Sequence, residues 1–263
     1  MNESSGKSAL MTAPWNAGIL HELYRRKETF PLDADLLSRI TPSTLSAETL
    51  QFLGMLVLWK QPRHIFAFGT GLSTLFLSRL QQDLGGASQP SVMCIDHSQR
   101  YLGETRRALG PVPGVFLLHA PLAVTECCGR VFTTYHSDYT HHIPPGIYFD
   151  LVLIDGPPAF RYGREAPLYH LAPYLSPDAL IILDDANREP EQEALRNWRA
   201  TWPDAFVAEV FPELKDGLAV LSIGVTMGTV YHLAHETQKA ANRGVIAGGQ
   251  RCAVGVNPGV LHD

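Results

Sequence analysis

What the sequence has little of narrows its chemistry first. Its four cysteines, Cys94, Cys127, Cys128 and Cys252, have neither zinc-ligand spacing nor the pattern of a disulfide framework, so reduced structural thiols are expected. No apolar run approaches the roughly 18 residues needed to cross a bilayer. Residues 1–6 (MNESSG) are polar and acidic where a secretory leader is basic and then apolar. These absences predict a cytoplasmic chain with no membrane partner. Positive charge is also scarce: 21 Lys and Arg against 26 Asp and Glu give a net charge of −5. No basic footprint for phosphate neutralisation is left, which argues against nucleic acid and in favour of a small-molecule substrate, with a homodimer as the expected protein partner.

At 263 residues, 45% hydrophobic and 18% charged, the chain has room for one sizeable domain and no sign of general disorder. Helical spacing of Ile19, Leu20, Leu23, Leu36 and Leu37 predicts a helical cover over residues 1–45. Ser46 is placed to cap a further helix whose apolar face runs through Leu50, Leu53, Leu56 and Val57. Short apolar or β-branched runs at 64–68, 91–96, 115–119, 149–155, 179–184, 206–211 and 218–223 alternate with helix-length segments up to the fifth run. That alternation predicts a doubly wound α/β domain over 46–223, with a Rossmann-like, mostly parallel sheet buried on both faces. Residues 212–217 are too few for a parallel crossover, so the last two of seven strands should form an antiparallel hairpin at the sheet edge. Residues 224–263 form a tail without a strand, in which 231–241 could be helical.

The segment Ala67-Phe68-Gly69-Thr70-Gly71-Leu72-Ser73-Thr74 runs from the first strand into a helix. Its two glycines sit where backbone must turn sharply and approach a ligand closely. Ser73 and Thr74 could satisfy amides at the helix opening. The second strand ends at Asp96, 25 residues after Gly71 and followed by His97, where doubly wound folds place an acid for ribose hydroxyls. A strand-end Asp capping the next helix is the plainer alternative. His119-Ala120-Pro121-Leu122 closes the third strand at the same sheet edge, a turn against which an adenine could lie.

Together with FDLVLIDGPP at 149–158 and LDDANR at 183–188, these segments resemble a bacterial group of class I S-adenosylmethionine-dependent methyltransferases across roughly residues 45–223. The resemblance implies the seven-stranded fold with its terminal hairpin and S-adenosylmethionine as cofactor. It places Ala67, Phe68, Gly69, Thr70, Gly71, Ser73, Thr74, Asp96, His97, His119, Ala120, Pro121, Asp155 and Gly156 around the cofactor. One departure stands out, because the family usually has an acid two residues before the first glycine, holding the cofactor's ammonium group, and here that position is Ala67.

Asp155 ends the fourth strand and Asp184 the fifth, with Asp185 next, so three carboxylates should gather at one edge. They would repel unless protonated, paired with cations or bound to a metal. The resemblance extends here to the magnesium-binding positions of catechol-type and sugar O-methyltransferases, which implies Mg²⁺ on Asp155, Asp184 and Asp185. Turn capping by Asp155 and pairing of Asp185 with Arg188 are the structural alternatives. Tyr135-His136-Ser137-Asp138-Tyr139-Thr140-His141-His142 reads as a loop beside the methyl donor. There His136, His141 or His142 could act as a base, and Tyr135 or Tyr139 could face the sulfonium. Arg161, Tyr162 and Arg164 form a second candidate lid, able to hold a substrate carboxylate.

The expected activity is methyl transfer to oxygen or nitrogen of a small molecule, with Asp155, His136, Tyr139 and His141 as catalytic candidates. Two alternatives stay open. One is cyclisation of the cofactor with release of methylthioadenosine, as in azetidine-2-carboxylate synthases, to which the missing acid at Ala67 gives weight. The other is a non-catalytic binding module.

Overall fold

In the computed structural model, residues 18–25, 30–85, 91–158, 163–203 and 205–223 are described. The tail at 224–263, its expected helix, Cys252, Arg161 and Tyr162 lie outside them. The chain enters through two short helices, α1 (Ile19–Arg25) and α2 (Ala34–Ser38), and a longer one, α3 (Ala47–Lys60). Ser46 caps α3 by accepting from the Thr49 amide, and Leu20, Leu23 and Leu36 are buried, whereas Leu37 is 47% exposed. The main sheet follows as β1 (His64–Phe68), β2 (Ser91–Asp96), β3 (Val115–His119), β6 (Phe149–Ile154), β7 (Leu175–Asp184), β8 (Phe206–Phe211) and β9 (Leu218–Ile223). Helices α4 (Leu72–Leu84), α5 (Gln99–Leu109), α6 (Ala166–Leu171) and α7 (Glu189–Thr201) connect these strands.

The seven strands lie in the order β3-β2-β1-β6-β7-β9-β8. All pairs are parallel except those that β9 makes with β7 and β8, so the terminal hairpin inserts β9 as the one reversed strand. The expected doubly wound, Rossmann-like sheet is therefore present. Its two faces sort by strand alternation: Phe66 and Phe68 join the core with α6 and α7, while Ile65 and Ala67 join the core with α3 and α4. Among the described residues no helix is long and apolar enough to cross a membrane.

Two stretches depart from expectation, the first being β7, which begins at Leu175 where 179 was expected. The second is a separate antiparallel hairpin between β3 and β6, β4 (Leu122–Cys127) with β5 (Arg130–Tyr135), then a short 3-10 helix, Ser137–His142. The hairpin turns on Cys128 and Gly129, whose φ values of 54° and 72° are those of a tight two-residue turn normally built from Asn-Gly.

Candidate active site

The site begins where β1 stops. Gly69 and Gly71 have φ of 100° and 141°, backbone that L side chains rarely adopt. The Gly69 amide donates to the Ile95 carbonyl and the Asp155 amide to the Phe68 carbonyl, locking the ends of β1, β2 and β6 together. A Cβ on Gly69 would lie 3.4 Å from the Asp155 backbone, whereas one on Gly71 would meet nothing within 4 Å because Gly71 faces a cavity. Gly71 is the N-cap of α4, and no side chain caps that helix. The expected capping by Ser73 and Thr74 is thus corrected: Ser73 lines the cavity, and Thr74 is fully buried. The opening amides of α4 thus have no side-chain cap, and the positive end of the helix lies behind them.

Asp96 sits beside this turn, 4% exposed. One oxygen accepts from the Thr70 amide at 2.8 Å and the Thr70 hydroxyl at 2.7 Å; the other accepts from the Ser98 amide at 2.8 Å. Burial alone would raise its pKa, but the His97 ring, Ser98 and Thr70 hold the carboxyl below its ordinary value. It does not cap α5, a task done by Ser98, whose hydroxyl accepts from the Tyr101 amide. Asp96 therefore fastens the glycine turn to β2 and still borders the cavity.

That cavity, about 590 Å³, opens along the carboxyl ends of β1, β2, β6 and β7. It brings together Gly69, Thr70, Gly71, Ser73, Asp96, His97, Asp155, Gly156, Asp184 and Asp185. Ala67 and Phe68 lie beneath it, fully buried in the sheet. His119 and Pro121 are exposed outside the lining and Ala120 is buried in the core, although the His119 ring reaches the His97 carbonyl at 2.9 Å. The His-rich segment divides by face. Tyr135 borders the cavity, while Tyr139 is 3% exposed and packs on Phe66 and Phe68. His141 and His142 point to solvent, and the His136 ring accepts from the Asp138 amide. None of these three imidazoles lines the cavity.

Asp155, Asp184 and Asp185 do converge, with one ligand atom of each within 4.8 Å of the others. Burial pushes both Asp155 and Asp184 upward, Asp184 further because Asp155 and Asp185 repel its charge while Arg164 only partly opposes them. Of the two, Asp184, raised to about 9, holds its proton more tightly than Asp155, raised to about 6. Asp185, at φ 61°, is bound by two arginines on one oxygen: Arg164 Nη1 at 2.7 Å and Arg188 Nη1 at 2.8 Å. Arg164 Nη1 also donates to the Asp184 carbonyl at 3.1 Å, and its Nη2 lies 3.9 Å from Asp155. A fixed guanidinium thus stands among the oxygens that Mg²⁺ would need at about 2.0–2.1 Å, and the residues do not fit that ion. The lid role expected of Arg164 is corrected as well, since it is buried against the protein's own carboxylates.

Part of the lining had no sequence signal. The 41–46 loop, Arg188, Lys215 and Asp216 also line it. Lys215 Nζ is tied to that loop, donating to the carbonyls of Pro42 at 2.5 Å and Thr44 at 2.7 Å across more than 170 residues of sequence. Tyr101 and Glu104 of α5 complete the rim.

Residues 66–186 match the family model described as a methyltransferase domain. No curated protein matches the sequence significantly. Among solved structures, the SAH-bound methyltransferase PaMTH1 of Podospora anserina is similar at 14% identity, over 80% of this chain and 97% of that chain, with a TM-score of 0.54. A methyltransferase from Geobacter sulfurreducens is similar at 16% identity, over 86% of this chain and 98% of that chain, with a TM-score of 0.47. The first likeness establishes a shared fold.

Proposed function

We propose, from the methyltransferase-domain match over residues 66–186, that this chain transfers the methyl group of S-adenosylmethionine to an oxygen or nitrogen of a small molecule. The observation that carries the reading is the convergence of three strand ends on one cavity: the glycine turn of β1, Asp96 of β2 and Asp155 of β6. In this arrangement the free amides of α4 receive the carboxylate of the cofactor's methionine part. Asp96, already held by Thr70 and Ser98, has lone pairs left for ribose hydroxyls. The same cofactor's product is bound in PaMTH1, which supports this choice of ligand.

The acceptor then occupies the remainder of the cavity, lined by the 41–46 loop and Arg188. A sulfonium is already an activated donor, so alignment of the nucleophile at about 3–3.5 Å supplies most of the acceleration. Asp155, on the cavity wall with its pKa raised to about 6 by burial, is the group placed to take the acceptor's proton. The imidazoles at 136, 141 and 142 have no part in this reading.

The test is to identify the nucleoside formed from S-adenosylmethionine by liquid chromatography and mass spectrometry, with and without a panel of hydroxyl and amine acceptors. S-adenosylhomocysteine formed only with an acceptor supports transfer. Methylthioadenosine from the cofactor alone would replace transfer by cyclisation. Calorimetry showing no cofactor binding at millimolar concentration would overturn both.

A further inference from the structure

We infer that Arg164 is the resident cation of the acid cluster: its guanidinium occupies the place between Asp155 and Asp185 that a divalent ion would need, so the site works without metal. The statement about binding stands on geometry alone, and only its last clause rests on the function proposed above.

The guanidinium is held at this one spot through Nη1 and Nε. Nη1 reaches Asp185 and the Asp184 carbonyl at 2.7 and 3.1 Å, Nε donates to the Pro157 carbonyl at 3.3 Å, and Glu191 lies 3.7 Å from Nε. Its side chain is only 9% exposed. A charge so enclosed must be paired, and its partners here are the strand-end acids themselves. An ion bound to Asp155 and Asp185 would be forced against a permanent positive charge that cannot be deprotonated.

Nor can Arg164 readily swing away, because the residues on both sides of it are fixed in the core. The buried Thr134 hydroxyl donates to the Gly163 carbonyl at 2.7 Å. Glu165 is fully buried, receives Arg130, the Tyr169 hydroxyl and the Asn197 amide on its carboxylate, and accepts from the Trp198 indole on its carbonyl at 3.1 Å. This clamp ties residues 163–165 to β5, α6 and α7 and holds the Arg164 backbone beneath the acids. With Arg188 on the open side of Asp185, the cluster has two guanidinium groups of its own.

The experiment is a Mn²⁺ titration of the full chain, read by the electron paramagnetic resonance signal of free Mn²⁺. The parent protein should show no saturable binding below about 1 mM. Arg164→Gln, if folded by circular dichroism, should bind at least tenfold more tightly than the parent, and adding Asp185→Asn should remove that binding. A parent protein that binds one Mn²⁺ at sub-millimolar concentration, with loss in Asp185→Asn, would overturn the inference. So would a folded Arg164→Gln with no gain in affinity. Should Arg164→Gln fail to fold, the parent measurement still decides. Because Mn²⁺ occupancy is read without turnover, failure to find a methyl acceptor leaves this result intact. Where turnover is found, EDTA should leave its rate unchanged within twofold, and metal-dependent turnover would overturn the last clause alone.

Discussion

Replacing Gly71 by alanine separates a glycine needed for a turn from one needed for a ligand. At φ 141° and ψ −136° the residue sits in backbone space that is almost exclusive to glycine, where a side chain costs about 1–3 kcal/mol. For a domain of this size each kcal/mol lowers Tm by roughly 2–4 °C, so a drop of about 2–12 °C is expected. Nothing lies within 4 Å of the new Cβ, so no clash adds to that strain and the domain should stay folded. Binding should suffer far more, since the methyl projects into the cavity at the opening of α4. Pushing the ligand off two helix-opening amides loses about 3 kcal/mol, or more than a hundredfold in Kd.

Differential scanning fluorimetry and calorimetry with S-adenosylmethionine measure the two effects on the same sample. Gly103→Ala is the matched control: it lies in α5 with ordinary helical φ, its Cβ also meets nothing within 4 Å, and Gly103 does not line the cavity. That variant should gain up to about 1 kcal/mol of stability with unchanged affinity. A Kd for Gly71→Ala within threefold of the parent would show that the glycine serves the turn alone and refute the ligand role. A Tm loss above 20 °C would equally refute the strain estimate.

Three further outcomes are expected. Asp96→Ala should weaken cofactor binding by about 1.5–3 kcal/mol and also lower the urea midpoint, because the Thr70 and Ser98 amides lose their acceptor; an unchanged midpoint would contradict the fastening role. Gln61→Gly should stabilise the fold by a few tenths to about 1 kcal/mol, since Gln61 ends α3 at φ 48°, and chemical denaturation showing a loss would count against the strain there. His170 is half-buried with its Nδ1 sealed and unpartnered; burial, and then His136, hold its pKa down to about 4. Because the folded value lies below the unfolded one, its contribution is complete above about pH 6.5 and is lost as pH falls towards 4. The loss is at most about 3 kcal/mol, less where solvent reaches the ring, and His170→Gln should flatten that part of the pH profile in urea titrations.

The sheet was legible because its strands are short runs buried on both faces, and burial on both faces leaves a continuous apolar signature such as Leu151-Val152-Leu153-Ile154. Acids at the carboxyl ends, Asp96, Asp155 and Asp184, were legible for the matching reason that a charge interrupts such a run only where the strand reaches solvent or a site. The β4–β5 hairpin was not, since its turn uses Cys128-Gly129 where the recognisable signal is Asn-Gly. Nor was the split within the His-rich segment: a 3-10 helix turns Tyr139 inward onto Phe66 and Phe68 and leaves His141 and His142 outside, and polar composition alone reads as loop.

Local sequence therefore determined which segments become strands, where the chain turns on Gly69 and Gly71, and which acids stand at the sheet edge. Tertiary structure alone decided what those acids face. Arg164 is close to Asp155 in sequence but 20 and 21 residues from Asp184 and Asp185, and it meets them because Glu165 is anchored in the core beside it. Lys215 closes the cavity against residues 42 and 44 only after β9 has inserted beside β7. Backbone preference and burial pattern are properties of neighbours along the chain, whereas the pairing of charges depends on distances that exist only once the sheet has formed.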